Sequence, residues 1–114
     1  MEGERPFGGF KKHFATHFTI YIPATGPGSL NSKIQETSRY LISLFKGSTE
    51  IKATGNYMDK SSLIKENVCK IDVFTTPDQW KRHKEGIKEW LRKKRIQWKQ
   101  KDLAIEFEED MYWV

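Results

Sequence analysis

The 114-residue sequence has one cysteine, Cys69, so it cannot form an internal disulfide, and its stability must come from a core. It has no run near the roughly 20 apolar residues needed to span a bilayer, and its first residues, MEGERPFGG, lack the apolar stretch of a signal peptide. A cytoplasmic protein without a membrane partner is the expectation. No phosphate loop, dinucleotide fingerprint, nucleophile elbow or zinc-ligand spacing occurs. His13 and His17 share a parity but lie about 13 Å apart in an extended strand, and His83 stands alone on its helix, so neither a metal nor a cofactor is expected.

What is present is an apolar fraction of 37% with 13% aromatics, enough for a globular core, under a surface made ionic by 31% charged residues. Residues 1–9 carry three glycines and a proline and read as a flexible tail, and residues 10–114 as a single domain. From Phe10 apolar and polar residues alternate, most clearly over His17 to Ile22, which predicts a strand with one apolar face. Pro23 to Gly28 break it, and Ser29 or Asn31 can cap a helix with apolar positions Leu30, Ile34, Leu41, Leu44 and Phe45, ended by Gly47. The glycine-rich turn before that helix can seat a phosphate on its amides or simply redirect the chain.

Alternation returns at Thr49–Tyr57 and Val68–Phe74, which predicts a hairpin whose long tip includes the polar connection Asp59-Lys60-Ser61-Ser62. Thr76-Pro77-Asp78-Gln79 is the strongest boundary: an N-cap, a proline at the first helical position, an acid at the positive end of the dipole, and a glutamine three residues on. Leu103, Ile105 and Phe107 alternate with polar neighbours. A turn at Glu109-Asp110 then allows Met111 to Val114 to add a short last strand. The order strand, helix, strand, strand, helix, strand predicts an α+β, ferredoxin-like βαββαβ fold, a four-stranded antiparallel sheet with two helices on one face.

The formal charge of +5 is concentrated. Residues 80–101 hold ten Lys/Arg against two Glu, which leaves the rest of the chain slightly acidic. At about 100° per residue, Trp80, Ile87, Leu91 and Trp98 form an apolar stripe with His83 and Trp90 on its shoulder. Lys81, Lys84, Lys88, Arg92, Arg95 and Lys99 form a second stripe some 27 Å long, partly countered by Glu85 and Glu89. Such a row suits a phosphate backbone, and it suits equally a solvated helix face. Ile96 lies opposite the apolar stripe, so either the helix frays before it or a second chain meets it there.

Three functional readings follow. The leading one is a non-enzymatic module that binds an anionic partner, a nucleic-acid backbone or a nucleotide-type ligand, on the Lys81–Lys99 stripe. The second is a homo-oligomeric interaction module that pairs through sheet faces or edge strands, with Tyr57, Ile96 and Trp113 as contacts. The third is a small enzyme on the sheet face away from the helices, where His17, Thr19, Tyr21, Lys52, Thr54, Lys70, Asp72 and Glu106 gather and His17 or Tyr21 can approach Asp72 as an acid–base pair. RNA-recognition-type stacking on that face is disfavoured, because Lys70 and Asp72 stand where rings should be.

Lys46-Gly47-Ser48-Thr49, Gly55-Asn56-Tyr57, Lys65-Glu66 and Gln100-Lys101-Asp102-Leu103-Ala104-Ile105-Glu106 form a loose pattern over about residues 18–107. In it the chain resembles small uncharacterised microbial ferredoxin-like proteins with Gly-x-Thr, Gly-x-aromatic, Glu and Gln-x-x-aliphatic signatures. The resemblance implies the fold and points to the Gly55–Glu66 hairpin as a functional edge, and it brings no established activity.

Overall fold

The computed structural model describes residues 14–114, so the tail at 1–9 and the strand start at Phe10–His13 lie outside the described residues. The elements are β1 (Thr16–Pro23), α1 (Leu30–Leu44), β2 (Thr49–Asp59), β3 (Ser62–Thr75), α2 (Pro77–Gln97), β4 (Ala104–Phe107) and β5 (Asp110–Trp113). All strand pairings are antiparallel, in the order β2-β3-β1-β4-β5. This is the ferredoxin-like βαββαβ arrangement with one short extra strand. No helix among the described residues is long and apolar enough to cross a membrane.

The register divides the sheet. Phe18, Ile20 and Ile22 of β1, with Cys69, Ile71 and Val73 of β3 and Ile105 of β4, are buried with Ile34, Leu41 and Phe45 from α1 and its C-cap, and with Ile87, Leu91 and Trp98 from α2 and its C-cap. Trp80 stacks on Phe107 at 4.6 Å and tilts against Phe18 at 4.9 Å, closing one end of the core. Tyr40 lies parallel to Trp90 at 4.6 Å, and Glu36 pairs with Lys94, so the two helices hold each other as well as the sheet.

Local chemistry sets the boundaries. Ser29 accepts from Ser32 N at 3.0 Å and starts α1, and Thr76 accepts from Gln79 N at 3.2 Å and starts α2. α1 ends at a C-cap, Phe45, in extended conformation, whose N–H donates to Leu41 O. Gly47 lies beyond that cap and has no positive φ, so burial of the Phe45 ring, and not a left-handed glycine, stops the helix. The hairpin differs from expectation as well. Its strands run to Asp59 and from Ser62, leaving a two-residue turn in which Lys60 takes φ 59. Ser62–Asn67 pairs fully with β2, but both of its faces are largely wet, so its sequence carries no alternation. The last turn falls one residue earlier than expected, with Glu108 at φ 57.

Lys33, on α1, is 1% exposed, and its Nζ donates to the carbonyls of Pro23 (3.3 Å) and Thr25 (2.5 Å). The β1–α1 turn is therefore pinned from beneath by a buried cation, and burial pulls the lysine pKa down. From the other side Gln100 Nε2 donates to Thr25 O (3.0 Å) and Trp98 O (2.9 Å). The amine and amide that close on this turn read it as a structural joint and not as a phosphate seat.

Candidate active site on the open sheet face

The sheet face away from the helices is polar along its middle. Cross-strand partners point to the same side, so the register places His17 beside Phe74, Thr19 between Asp72 and Glu106, and Tyr21 beside Lys70. Thr19 is only 1% exposed on a nominally wet face, because its neighbours close over it. Its hydroxyl donates to Asp72 Oδ1 at 2.5 Å. His17 Nε2 lies 3.7 Å from the same carboxylate oxygen and 3.4 Å from Thr19 Oγ1, with its ring stacked on Phe74 at 4.3 Å. The predicted approach of His17 to Asp72 is present, and Thr19 joins it as a third member that sequence parity alone could have supplied.

Tyr21 does not reach Asp72. Its hydroxyl donates to Glu106 Oε1 at 2.8 Å, with Lys70 Nζ 5.5 Å from the ring centroid. Burial pushes the phenol up to about 12, helped by the hydrogen bond to Glu106 and by the charges of Glu106 and Asp72. The folded protein therefore holds this proton more tightly than the unfolded chain, whose tyrosines lose theirs near 10.0. The resulting stability is fully present below pH 10 and is lost as pH rises towards 12. A phenolate absorbance titration should show late steps from Tyr21 and from Tyr40, whose phenol burial also pushes up, and Tyr21→Phe should remove the later one and make the alkaline loss of thermal stability shallower.

Lys52 and Thr54 do not belong to this face. They pair with Cys69 and Asn67, so they point to the helix side of the sheet, one residue out of the register that His17 and Tyr21 require. Glu66, opposite Gly55, is on the open face instead.

Two hollows flank the polar band. The larger, of about 880 Å³, lies where Asp72 and Phe74 meet Phe14, the Lys46–Thr49 connection and the start of α2 at Thr76 and Gln79. The smaller, of about 180 Å³, is bounded by Tyr21, Glu66, Val68, Gln100 and Asp102. The Gly-x-Thr segment of the sequence pattern thus reaches the first hollow, and its Glu and Gln reach the second.

The α2 stripe is present as a row. Lys81, Lys84, Lys88, Arg92 and Lys99 are exposed and Arg95 is half-buried, while Glu85 pairs with Lys88 at 3.4 Å and Glu89 with Arg92 at 2.5 Å. Tyr57, Ile96 and Trp113 are exposed.

No family model matches the chain, and no curated protein matches it. Two solved structures share its fold. One is a phage SAM lyase in the apo state, 16% identical, with a TM-score of 0.62 over 100% of this chain and 95% of that one. The other is a phage SAM lyase in complex with S-methyl-5'-thioadenosine, 13% identical, with a TM-score of 0.59 over 93% of this chain and 95% of that one. Both structures are of an enzyme. That finding overturns the expectation of a non-enzymatic module gripping an anion on the Lys81–Lys99 stripe, a surface on which two of the six cations are already engaged by glutamates of their own helix.

Proposed function

We propose that this chain is an enzyme that cleaves the sulfonium of S-adenosylmethionine and releases S-methyl-5'-thioadenosine, with the Asp72 end of the open sheet face as its site. The observation that carries this reading is the sharing of one fold, over nearly the full length of both chains, with SAM lyase structures. The site's chemistry agrees with it. A hollow of about 880 Å³ is within the roughly 300–1,000 Å³ of small-ligand sites. It offers the exposed ring of Phe74 for a purine to stack on, and the Asp72 carboxylate for a cationic sulfonium.

The reaction needs little from the protein beyond placement. When the bond between sulfur and the amino-acid chain breaks, the electron pair stays on sulfur, which leaves as a neutral thioether and takes up no proton. In a lyase no water is consumed, so the carbon it leaves takes its new bond from the substrate's own carboxylate oxygen, whose electron pair closes a five-membered lactone as the carbon–sulfur bond breaks. Positive charge shifts from sulfur to that carbon as the bond stretches, so a fixed carboxylate beside it stabilises the transition state. Thr19 holds Asp72 in one orientation, and His17, stacked on Phe74, limits water on one side.

Incubation of the purified protein with S-adenosylmethionine is expected to yield S-methyl-5'-thioadenosine in proportion to enzyme. With oxygen-labelled water, the four-carbon fragment isolated before any secondary hydrolysis should carry no label. Intact substrate after prolonged incubation, or label in the first-formed fragment, overturns the proposal.

A further inference from the structure

The Asp72 carboxylate lies between a fixed donor and a switchable one. Thr19 donates to its Oδ1 at 2.5 Å, and His17 Nε2 lies 3.7 Å from that same oxygen, the two side chains being 28% (His17) and 17% (Asp72) exposed. The Thr19 hydroxyl proton is committed to Asp72, so both oxygens that face Nε2, Thr19 Oγ1 at 3.4 Å and Asp72 Oδ1, are acceptors. Nε2 therefore carries a proton in either charge state, and the charge of the ring is decided at Nδ1. A histidine makes that change between about pH 5 and 8. The groups around it leave Asp72 as its counter-charge among the described residues. Phe74 of β3 stacks on the ring, and Glu106 of β4, across Thr19, is taken by the Tyr21 hydroxyl. Glu108 donates its N–H to His17 O at 3.0 Å, and its side chain is exposed at the β4–β5 turn. Lys70 lies over the Tyr21 ring, Lys46 is exposed in the wall of the hollow, and both helices are on the other side of the sheet.

We propose that His17 sets the affinity of this site for its cationic substrate through its own charge. Neutral, it leaves the Asp72 carboxylate to the sulfonium; protonated, it takes that carboxylate itself and repels the incoming cation. One carboxylate balances one cation, and a partly buried pair is screened far less by salt than an exposed one. The KM for S-adenosylmethionine should therefore rise as pH falls, steepening to about tenfold per pH unit once His17 is mostly charged, because one proton and one substrate exclude each other. In the occupied site His17 is already neutral, so kcat should change little over the same range. Conversely, a cation that binds while His17 is charged must expel one proton. This inference rests on the proposed reaction for the identity of the cation, and on the His17–Asp72 geometry for the competition.

The test compares the parent with His17→Gln, whose amide keeps a donor towards Asp72 but gains no charge. Between about pH 5.5 and 8 the parent's KM should climb towards the acid end, and the variant's should stay flat relative to it. Ionisations of the substrate itself are common to both proteins and cancel. A second measurement does not depend on turnover: calorimetric titration, near the acid end, with the uncleavable analogue of S-adenosylmethionine in which an aminated carbon replaces the sulfonium. Run in two buffers of different ionisation enthalpy, it should report a proton released by the parent and none by His17→Gln. A KM that moves equally with pH in both proteins, or analogue binding without proton release, overturns the inference and leaves the reaction standing. Absence of S-methyl-5'-thioadenosine at every pH overturns the reaction alone if the analogue still binds with proton release, and both readings if it does not bind.

Discussion

Asp72→Asn is expected to lower the rate of S-methyl-5'-thioadenosine release by roughly 10²-fold or more, the scale on which removal of one well-placed charged or proton-transferring group is felt. The substitution keeps the side chain's shape and removes its charge. Asp72 is where the site's lines meet: it accepts from Thr19, faces His17 and forms part of the wall of the larger hollow. The amide oxygen can still accept from Thr19, so the thermal unfolding midpoint should move little. Thr19→Val separates orientation from charge. It leaves the carboxylate in place without its donor and should cost activity by a smaller factor than Asp72→Asn. An Asp72→Asn variant with parental turnover would place the chemistry elsewhere.

Gly26→Ala should be the most damaging small substitution on the surface. Gly26 has φ 85, where a side chain is strained, and an added Cβ would lie 2.2 Å from Trp98 O and 2.6 Å from Gln100 Nε2. Left-handed backbone costs a non-glycine residue about 1–2 kcal/mol, and forcing apart a packed contact costs about 1–3 more. Against a typical domain stability of roughly 5–15 kcal/mol this is a large share, and the melting temperature should fall by roughly 10 °C or more. Gly28→Ala is the control. It shares the positive φ of 87, but its Cβ would approach only Lys33 Cε, at 4.0 Å, so it should show the backbone term alone. Equal losses in the two variants would mean that the contact with Trp98 is relieved without cost.

The parts of the fold legible in the sequence are those where one residue type answers one physical demand. Thr76-Pro77-Asp78-Gln79 placed the start of α2 correctly, because a cap, a fixed φ and a dipole partner are local requirements. The alternation of β1 marks the buried face, since β1 is the central strand of the five and its apolar side is covered by the helices. The first half of β3 was hidden because nothing packs on either of its faces, and without burial there is no period to read. Lys52 and Thr54 were assigned to the wrong face for a related reason. Their parity is fixed by pairing across β3, not by any contrast in their own strand. At the site, His17 and Asp72 could be brought together from strand order, but the assignment of Tyr21 to Glu106 depends on the diagonal offset between β1 and β4, which only the register supplies. The rings and turns around the larger hollow come from separated stretches of chain, and no local pattern announces them.

β1 pairs with β3 and β4, so both of its neighbours lie later in the chain, with α1 and β2 between it and β3 and all of α1, β2, β3 and α2 between it and β4. The β2–β3 hairpin, closed by two residues, can zip on its own in microseconds, whereas seating β1 requires two long loops to close first. During synthesis the strand that carries His17, Thr19 and Tyr21 therefore waits with both edges open for partners not yet made. The polar band is complete only when β4 arrives, because a chain cut short before it has β1 and β3 with Asp72 but leaves the Tyr21 hydroxyl without Glu106.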